Sequence, residues 1–232
     1  MKISGLQKLT LLDYPGHLAC TIFTMGCNFR CPFCQNASLV ISPKEIPQYR
    51  EEEILNFLSS RKHILEGICI SGGEPTLQSD LVDFIRKVKS MGYYVKLDTN
   101  GTYPKLLRQL IEEHTIDMVA MDIKNSKESY AKTSGIETLN MNTIEESVNL
   151  LKEGLIPYEF RTTVVKELHA KKDIEEIGKW LKGPSPYYLQ AFVDSGDLIG
   201  TNITGYNKQE LTKLLEIARL YLPNASLRGI EV

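Results

Sequence analysis

A chain of 232 residues with 42% hydrophobic and 24% charged side chains has the composition of an ordinary globular protein and is long enough to bury a core without disulfides. Its 27 basic and 29 acidic residues leave a formal net charge of −2, which argues against a nucleic-acid or membrane binder held by general electrostatics. No run approaches the roughly 18 apolar residues of a membrane-spanning helix, and no apolar leader follows Met1-Lys2. The odd number of cysteines, five, is then expected to be reduced, in a cytoplasmic protein.

In chain order, the first strand is expected over residues 17–24. It runs into Met25–Asn36, which holds Cys27, Cys31 and Cys34 in a Cys-x3-Cys-x2-Cys spacing. A connection with Pro43 and Pro47 follows, then a helix over residues 51–60 with Ile54, Phe57 and Leu58 on one face. The second strand, residues 67–71, stops at Gly72-Gly73-Glu74-Pro75. A helix with Leu81, Phe84, Ile85 and Val88 at helical spacing ends before Gly92, a natural C′ residue. Strand three, residues 93–98, ends in Asp98-Thr99-Asn100-Gly101.

A helix carrying Leu106, Leu107, Leu110 and Ile111 precedes strand four, residues 118–123, with Asp122 and Lys124 at its end. The pattern continues with a helix at 143–153, a strand at 158–165, a helix at 173–181, a strand at 187–192 and a helix at 208–222. The tail, 225–232, suits one more short strand. Strict alternation of strand and helix implies right-handed βαβ units on a parallel sheet. Six units fall short of the eight of a closed barrel, so the expectation is an α/β fold, an open partial (β/α)6 barrel. Nothing marks a linker, and residues 1–232 read as one domain, with the cysteine loop at 25–36 and a terminal helix and tail at 207–232.

Three thiols packed so closely point to a metal centre. Closed zinc sites take four ligands and iron–sulfur clusters usually take four cysteines, whereas Cys20 and Cys69 sit in strand patterns and suit the core. A 4Fe–4S cluster on three thiolates leaves one iron open to another ligand. The rival reading, a zinc knuckle completed by His17, lacks any second ligand pair.

The spacing Cys27-x3-Cys31-x-Phe33-Cys34 resembles the signature of the radical S-adenosylmethionine (SAM) superfamily. Gly5-Leu6-Gln7-Lys8, Asp13-Tyr14-Pro15-Gly16 and the run from Gly26 to Pro32 are similar, more narrowly, to the activating proteins of anaerobic ribonucleoside-triphosphate reductase, which are glycyl-radical-enzyme activases. Many of those relatives have His-Asn where this chain has Gln35-Asn36. The resemblance implies a 4Fe–4S cluster on Cys27, Cys31 and Cys34, screened by Phe33. It also implies SAM on the open iron and reductive cleavage to a 5′-deoxyadenosyl radical. The implied substrate is a backbone glycine of the reductase, and the implied electron source a one-electron donor such as flavodoxin or ferredoxin.

The same resemblance suggests roles for the strand-end motifs. Gly72-Gly73-Glu74, which alone reads as a tight turn entering a helix with Pro75 at N1, would hold the amino group of SAM. Asp98 and Asp122, both at strand C-terminal ends where parallel α/β folds bind ligands, would face its ammonium, and Lys124 its carboxylate, with Thr99 beside Asp98 as a further SAM-binding candidate. Arg161 and Thr163, two residues apart on one strand face, would sit beside the nucleoside, with Gln190 and Phe192 as weaker candidates. A monovalent cation would be held by Asp98, Thr99, Asp122 and the backbone of Ile123. Two other readings are open: a radical SAM enzyme for a small molecule or peptide, and a non-catalytic metal-binding module.

Overall fold

The apolar runs become strands of one sheet in a computed structural model that describes residues 1–41 and 47–230. Eight strands lie in sequence order: β1 (Ile3–Thr10), β2 (Ala19–Thr24), β3 (Gly67–Gly72), β4 (Tyr94–Thr99), β5 (Met118–Asp122), β6 (Tyr158–Val164), β7 (Tyr187–Ala191) and β8 (Ala225–Arg228). Strands β2 to β8 are parallel, and β1 joins β2 antiparallel. The first and last strands are not paired with each other, so the barrel is open.

The six expected βα strands are β2 to β7, and the tail supplies β8. Strand β1 departs from expectation. Its sequence, ISGLQKLT, has Gly5 and Gln7 where alternation from Ile3 would need apolar residues, and Gln7, Lys8 and Leu9 are exposed. An edge strand with one wet side carries a weak periodic signal. Two short helices also go beyond expectation, α1 (Ala37–Ile41) and α5 (Tyr130–Ser134); five residues are too few to show a 3.6-residue period. Pro43 lies outside the described residues.

Between strands run α2 (Glu51–Ser60), α3 (Leu81–Ser90), α4 (Pro104–Glu112), α6 (Met141–Lys152), α7 (Lys171–Leu181) and α8 (Lys208–Arg219). Each presents an apolar stripe to one face of the sheet, where Ile68, Ile70, Val95, Leu97 and Val119 are fully buried. The alternate residues of the same strands point to the other, inner face, because side chains switch sides at every step along a strand. There the composition changes. Cys69 and Ser71 of β3, Lys96 and Asp98 of β4, Asp122 of β5 and Arg161 of β6 form one linked polar group. No helix among the described residues is long and apolar enough to cross a membrane.

Helix α3 shows how the outer layer is held. Leu81, Phe84, Ile85 and Val88 repeat at helical spacing and are completely buried, while Arg86 and Lys87 on the wet side pair with Glu113 and Glu51. Phe84→Ala is expected to cost about 3–5 kcal/mol of stability through the cavity it leaves, read by denaturant unfolding of the apoprotein.

Candidate active site

A cavity of about 150 Å³ opens at the C-terminal ends of the parallel strands, the end at which parallel α/β folds bind ligands. Cys27, Cys31 and Cys34 line one wall, together with Phe33. Asp98, Thr99, Asp122, Lys124 and Thr163 arrive on the strand ends opposite, and Gly72, Gly73 and Glu74 on the turn after β3. Residues up to 136 positions apart in sequence therefore share one pocket (27 to 163). Arg161 and Ile123 do not reach the lining, nor do Gln190 and Phe192.

The cysteine loop is shaped by its backbone. The Phe29 N–H donates to Cys27 Sγ at 3.3 Å, and Cys34 N–H to the Cys31 carbonyl at 3.0 Å. Burial pushes the Cys27 thiol up to about 11 and the Cys31 thiol up to about 12, whereas a metal would be bound by the deprotonated thiolates. Three cysteine thiols on one wall of a shared pocket form a donor set that fits a three-thiolate cluster.

The two glycines of Gly72-Gly73 are required by the protein's own backbone. A Cβ on Gly73 would overlap the carbonyl of Gly26, and one on Gly72, whose φ is +111°, would overlap the backbone of Thr24. In the space so left, Gly73 N–H donates to Thr24 O at 2.9 Å and Glu74 N–H to Gly26 O at 2.8 Å. The turn after β3 is thereby clamped to the entry of the cysteine loop. The Glu74 side chain has a task of its own beside the pocket. Its carboxylate is buried and accepts from Thr76 N–H at 3.1 Å, Thr99 Oγ1 at 2.8 Å and Asn100 N–H at 2.7 Å, and from the Thr76 hydroxyl. It is a strut between the ends of β3 and β4, and its carboxylate oxygens are committed to that task.

Below the pocket floor the charges alternate. Asp98 takes Lys96, Ser71 Oγ at 3.0 Å and Arg161 Nη1 at 3.2 Å. Asp122 takes Arg161 Nε at 3.0 Å and Nη2 at 2.9 Å, and Lys124 Nζ at 3.1 Å. Burial alone would raise the Asp98 carboxyl, but Arg161 and Lys96 outweigh it and hold it at about 2 against an ordinary 3.8. Burial would lower the Lys124 ammonium, and Asp122 more than reverses that.

Several positions were not singled out from sequence. Asn28 and Asn100 brace each other across the loop, Asn100 Nδ2 donating to Asn28 Oδ1 at 2.8 Å. His169 is fully buried, accepts from Val165 N–H at 3.2 Å, and reaches the carbonyl of Lys124 at 2.8 Å, with its ring edge-on to Phe33 at 5.7 Å. Burial lowers its pKa, and an imidazole whose Nδ1 accepts must donate from Nε2. Two distant segments also strap the loop: Arg30 N–H to Ser134 O at 2.8 Å, and Gly200 N–H to Pro32 O at 2.7 Å. Neither strap leaves a periodic signal in the sequence.

Two outcomes follow from this geometry. Gly73→Ala should open the clamp and abolish retention of iron and sulfide after anaerobic reconstitution, read by metal analysis, while far-ultraviolet circular dichroism stays near wild type. For Asp98, a depressed carboxyl contributes stability that is complete above its unfolded value and lost as pH falls through its folded one. The difference in unfolding free energy between wild type and Asp98→Asn should be about 2 kcal/mol above about pH 4. It should narrow between the ordinary 3.8 and about 2.

Comparison with known proteins matches this arrangement to a family. The model of the radical SAM superfamily matches residues 21–181. A Methanocaldococcus jannaschii protein provisionally named a glycyl-radical enzyme activating enzyme is 35% identical over 236 residues, which is 98% of this chain and 96% of its own. A second protein of that organism, under the same provisional name, is 28% identical over 213 residues, 89% of this chain and 79% of its own. The crystal structure of a radical SAM methyltransferase from Sphaerobacter thermophilus superposes with a TM-score of 0.72, covering 93% of this chain and 67% of that one. At 13% identity this last likeness is one of fold alone. The chain belongs to the radical SAM superfamily, the enzymes that work with a 4Fe–4S cluster and SAM.

Proposed function

We propose that this chain is a glycyl-radical-enzyme activase, and that its partner is an anaerobic ribonucleoside-triphosphate reductase. The observation that carries the reading is the shared pocket: three thiols on one wall, and Asp98, Asp122 and Lys124 on strand ends opposite. When bound, cluster and SAM supply a reductive C5′–S cleavage whose 5′-deoxyadenosyl radical takes hydrogen from a glycine of the partner.

The residues of this chain bind, orient and exclude water. Cys27, Cys31 and Cys34 hold the cluster, and Phe33, buried against His169, keeps solvent from it. Lys124 meets the methionine carboxylate of SAM with a charge-assisted hydrogen bond. The Asp98 and Asp122 carboxylates and the backbone at Gly72-Gly73 face its ammonium. Thr163 lines the side assigned to the nucleoside, while Arg161 acts one layer below, holding both carboxylates in place. The chemistry asks for no side-chain acid or base, because the bond is broken by an electron. That electron comes from a one-electron carrier such as flavodoxin or ferredoxin. The partner assignment is supported by the activating-enzyme names of the relatives and by the sequence resemblance around Gly26–Pro32.

The test is anaerobic reconstitution with iron and sulfide, reduction, and assay of 5′-deoxyadenosine formed from SAM. Production is expected in wild type and at background in Cys31→Ala. Addition of the reductase should then give a glycyl-radical signal by electron paramagnetic resonance. A reduced, intact cluster that neither binds nor cleaves SAM would sink the reading. Cleavage without a radical on the reductase would keep the chemistry and remove the partner.

A further inference from the structure

The donor set that family resemblance assigns to a monovalent cation is already in use by this chain. Asp98 is paired with Lys96 and Arg161, and Asp122 with Arg161 and Lys124. Thr99 Oγ1 donates to Glu74 at 2.8 Å and accepts from Gly101 N–H at 3.1 Å. The carbonyl of Ile123 accepts from Thr162 Oγ1 at 2.8 Å.

The pairing resists exchange. Lys96 is 1% exposed, and among the described residues its ammonium bonds to Asp98 and the sulfur of Cys69, the latter at 3.8 Å. Releasing Asp98 to an ion would strand a buried, uncompensated charge, which is strongly disfavoured.

We infer that Lys96 and Arg161 stand in this chain where a monovalent cation would otherwise stand, so that SAM binding needs no added alkali ion. Lys96 is a positioning residue: it is absent from the pocket lining and acts through Asp98. The inference rests on the reading above that SAM occupies this pocket.

The experiment is SAM binding to the anaerobically reconstituted protein by equilibrium dialysis, in choline chloride and in sodium or potassium chloride at equal ionic strength. The dissociation constant of wild type is expected to agree within about twofold across the three salts. Tightening of about tenfold or more that saturates with sodium or potassium would overturn the inference. Lys96→Met, which keeps the length and removes the charge, should weaken binding in choline and regain it with sodium or potassium; Lys96→Arg should behave as wild type. A merely structural lysine would not give salt-specific rescue. A folded Lys96→Met protein indifferent to every salt would remove Lys96 from the role. Should that variant fail to fold, the wild-type titration still decides. Absence of SAM binding in every salt, with the cluster absorbance intact, would overturn the pocket assignment, and this inference with it.

Discussion

The site depends first on a backbone contact, the pressing of Gly72-Gly73 against Thr24–Gly26. The end of β2 and the turn after β3 come so near that neither glycine has room for a Cβ, and the gain is a pair of hydrogen bonds across the gap. These bonds set the height at which the cysteine loop leaves the sheet. Glu74 extends the same constraint sideways, its buried carboxylate joining the turn to Thr99 and Asn100 at the end of β4. Asn100 then reaches back to Asn28, next to Cys27. Loop, turn and strand end thus close a ring of contacts that holds the thiols against the strand ends. A buried carboxylate tolerates such a place because four donors satisfy it.

The inner face of the sheet follows a different logic. Parallel strands covered on both faces are usually apolar throughout, and here the outward residues of β3, β4 and β5 obey that rule while the inward ones do not. Buried ion pairs are poor sources of stability, since desolvation offsets much of the attraction. Their value lies in fixing geometry. Arg161, planar and with donors on two sides, spans Asp98 and Asp122, so that carboxylates from different strands are locked to one another. His169 adds a neutral version of the same device, holding the chain at Lys124 by its carbonyl and standing edge-on to Phe33. Cluster wall and ligand wall therefore share supports.

How far the sequence displays this is uneven, for physical reasons. The spacing of Cys27, Cys31 and Cys34 is local, so it is visible at once; so are the strands β2 to β7, whose apolar runs are long and bounded by glycine, proline or asparagine. Strand β1 is hidden because its exposed edge breaks the alternation, and α1 and α5 because they are one turn and a little more. Asp98 and Asp122 could be placed at strand ends, but their engagement with Lys96 and Arg161 is a matter of register, and a single sequence shows period without showing partner. Glu74 illustrates the same point: its position in the motif was plain, whereas its commitment to Thr76, Thr99 and Asn100 exists only once β3 and β4 are side by side. The straps from Ser134 and Gly200 cross more than a hundred residues and leave no periodic trace.

The openness of the barrel bears on the proposed partner. Because β1 runs antiparallel and β8 ends the sheet on the other side, no hydrogen-bonded seam joins first strand to last. A closed barrel admits only what fits through its mouth, while an open one leaves a side from which a backbone glycine in a folded protein can approach the strand-end pocket. On that side the structure invests in support. The segment following β7 is tied to α1 through Ser38 Oγ and the Asp197 carboxylate at 2.7 Å, and to the cysteine loop through Gly200 and Pro32. A loop that must hold a reactive centre next to an open edge needs bracing from outside the sheet, since no neighbouring strand supplies it. The straps supply from the segment after β7 the hydrogen bonds that no neighbouring strand gives the cysteine loop.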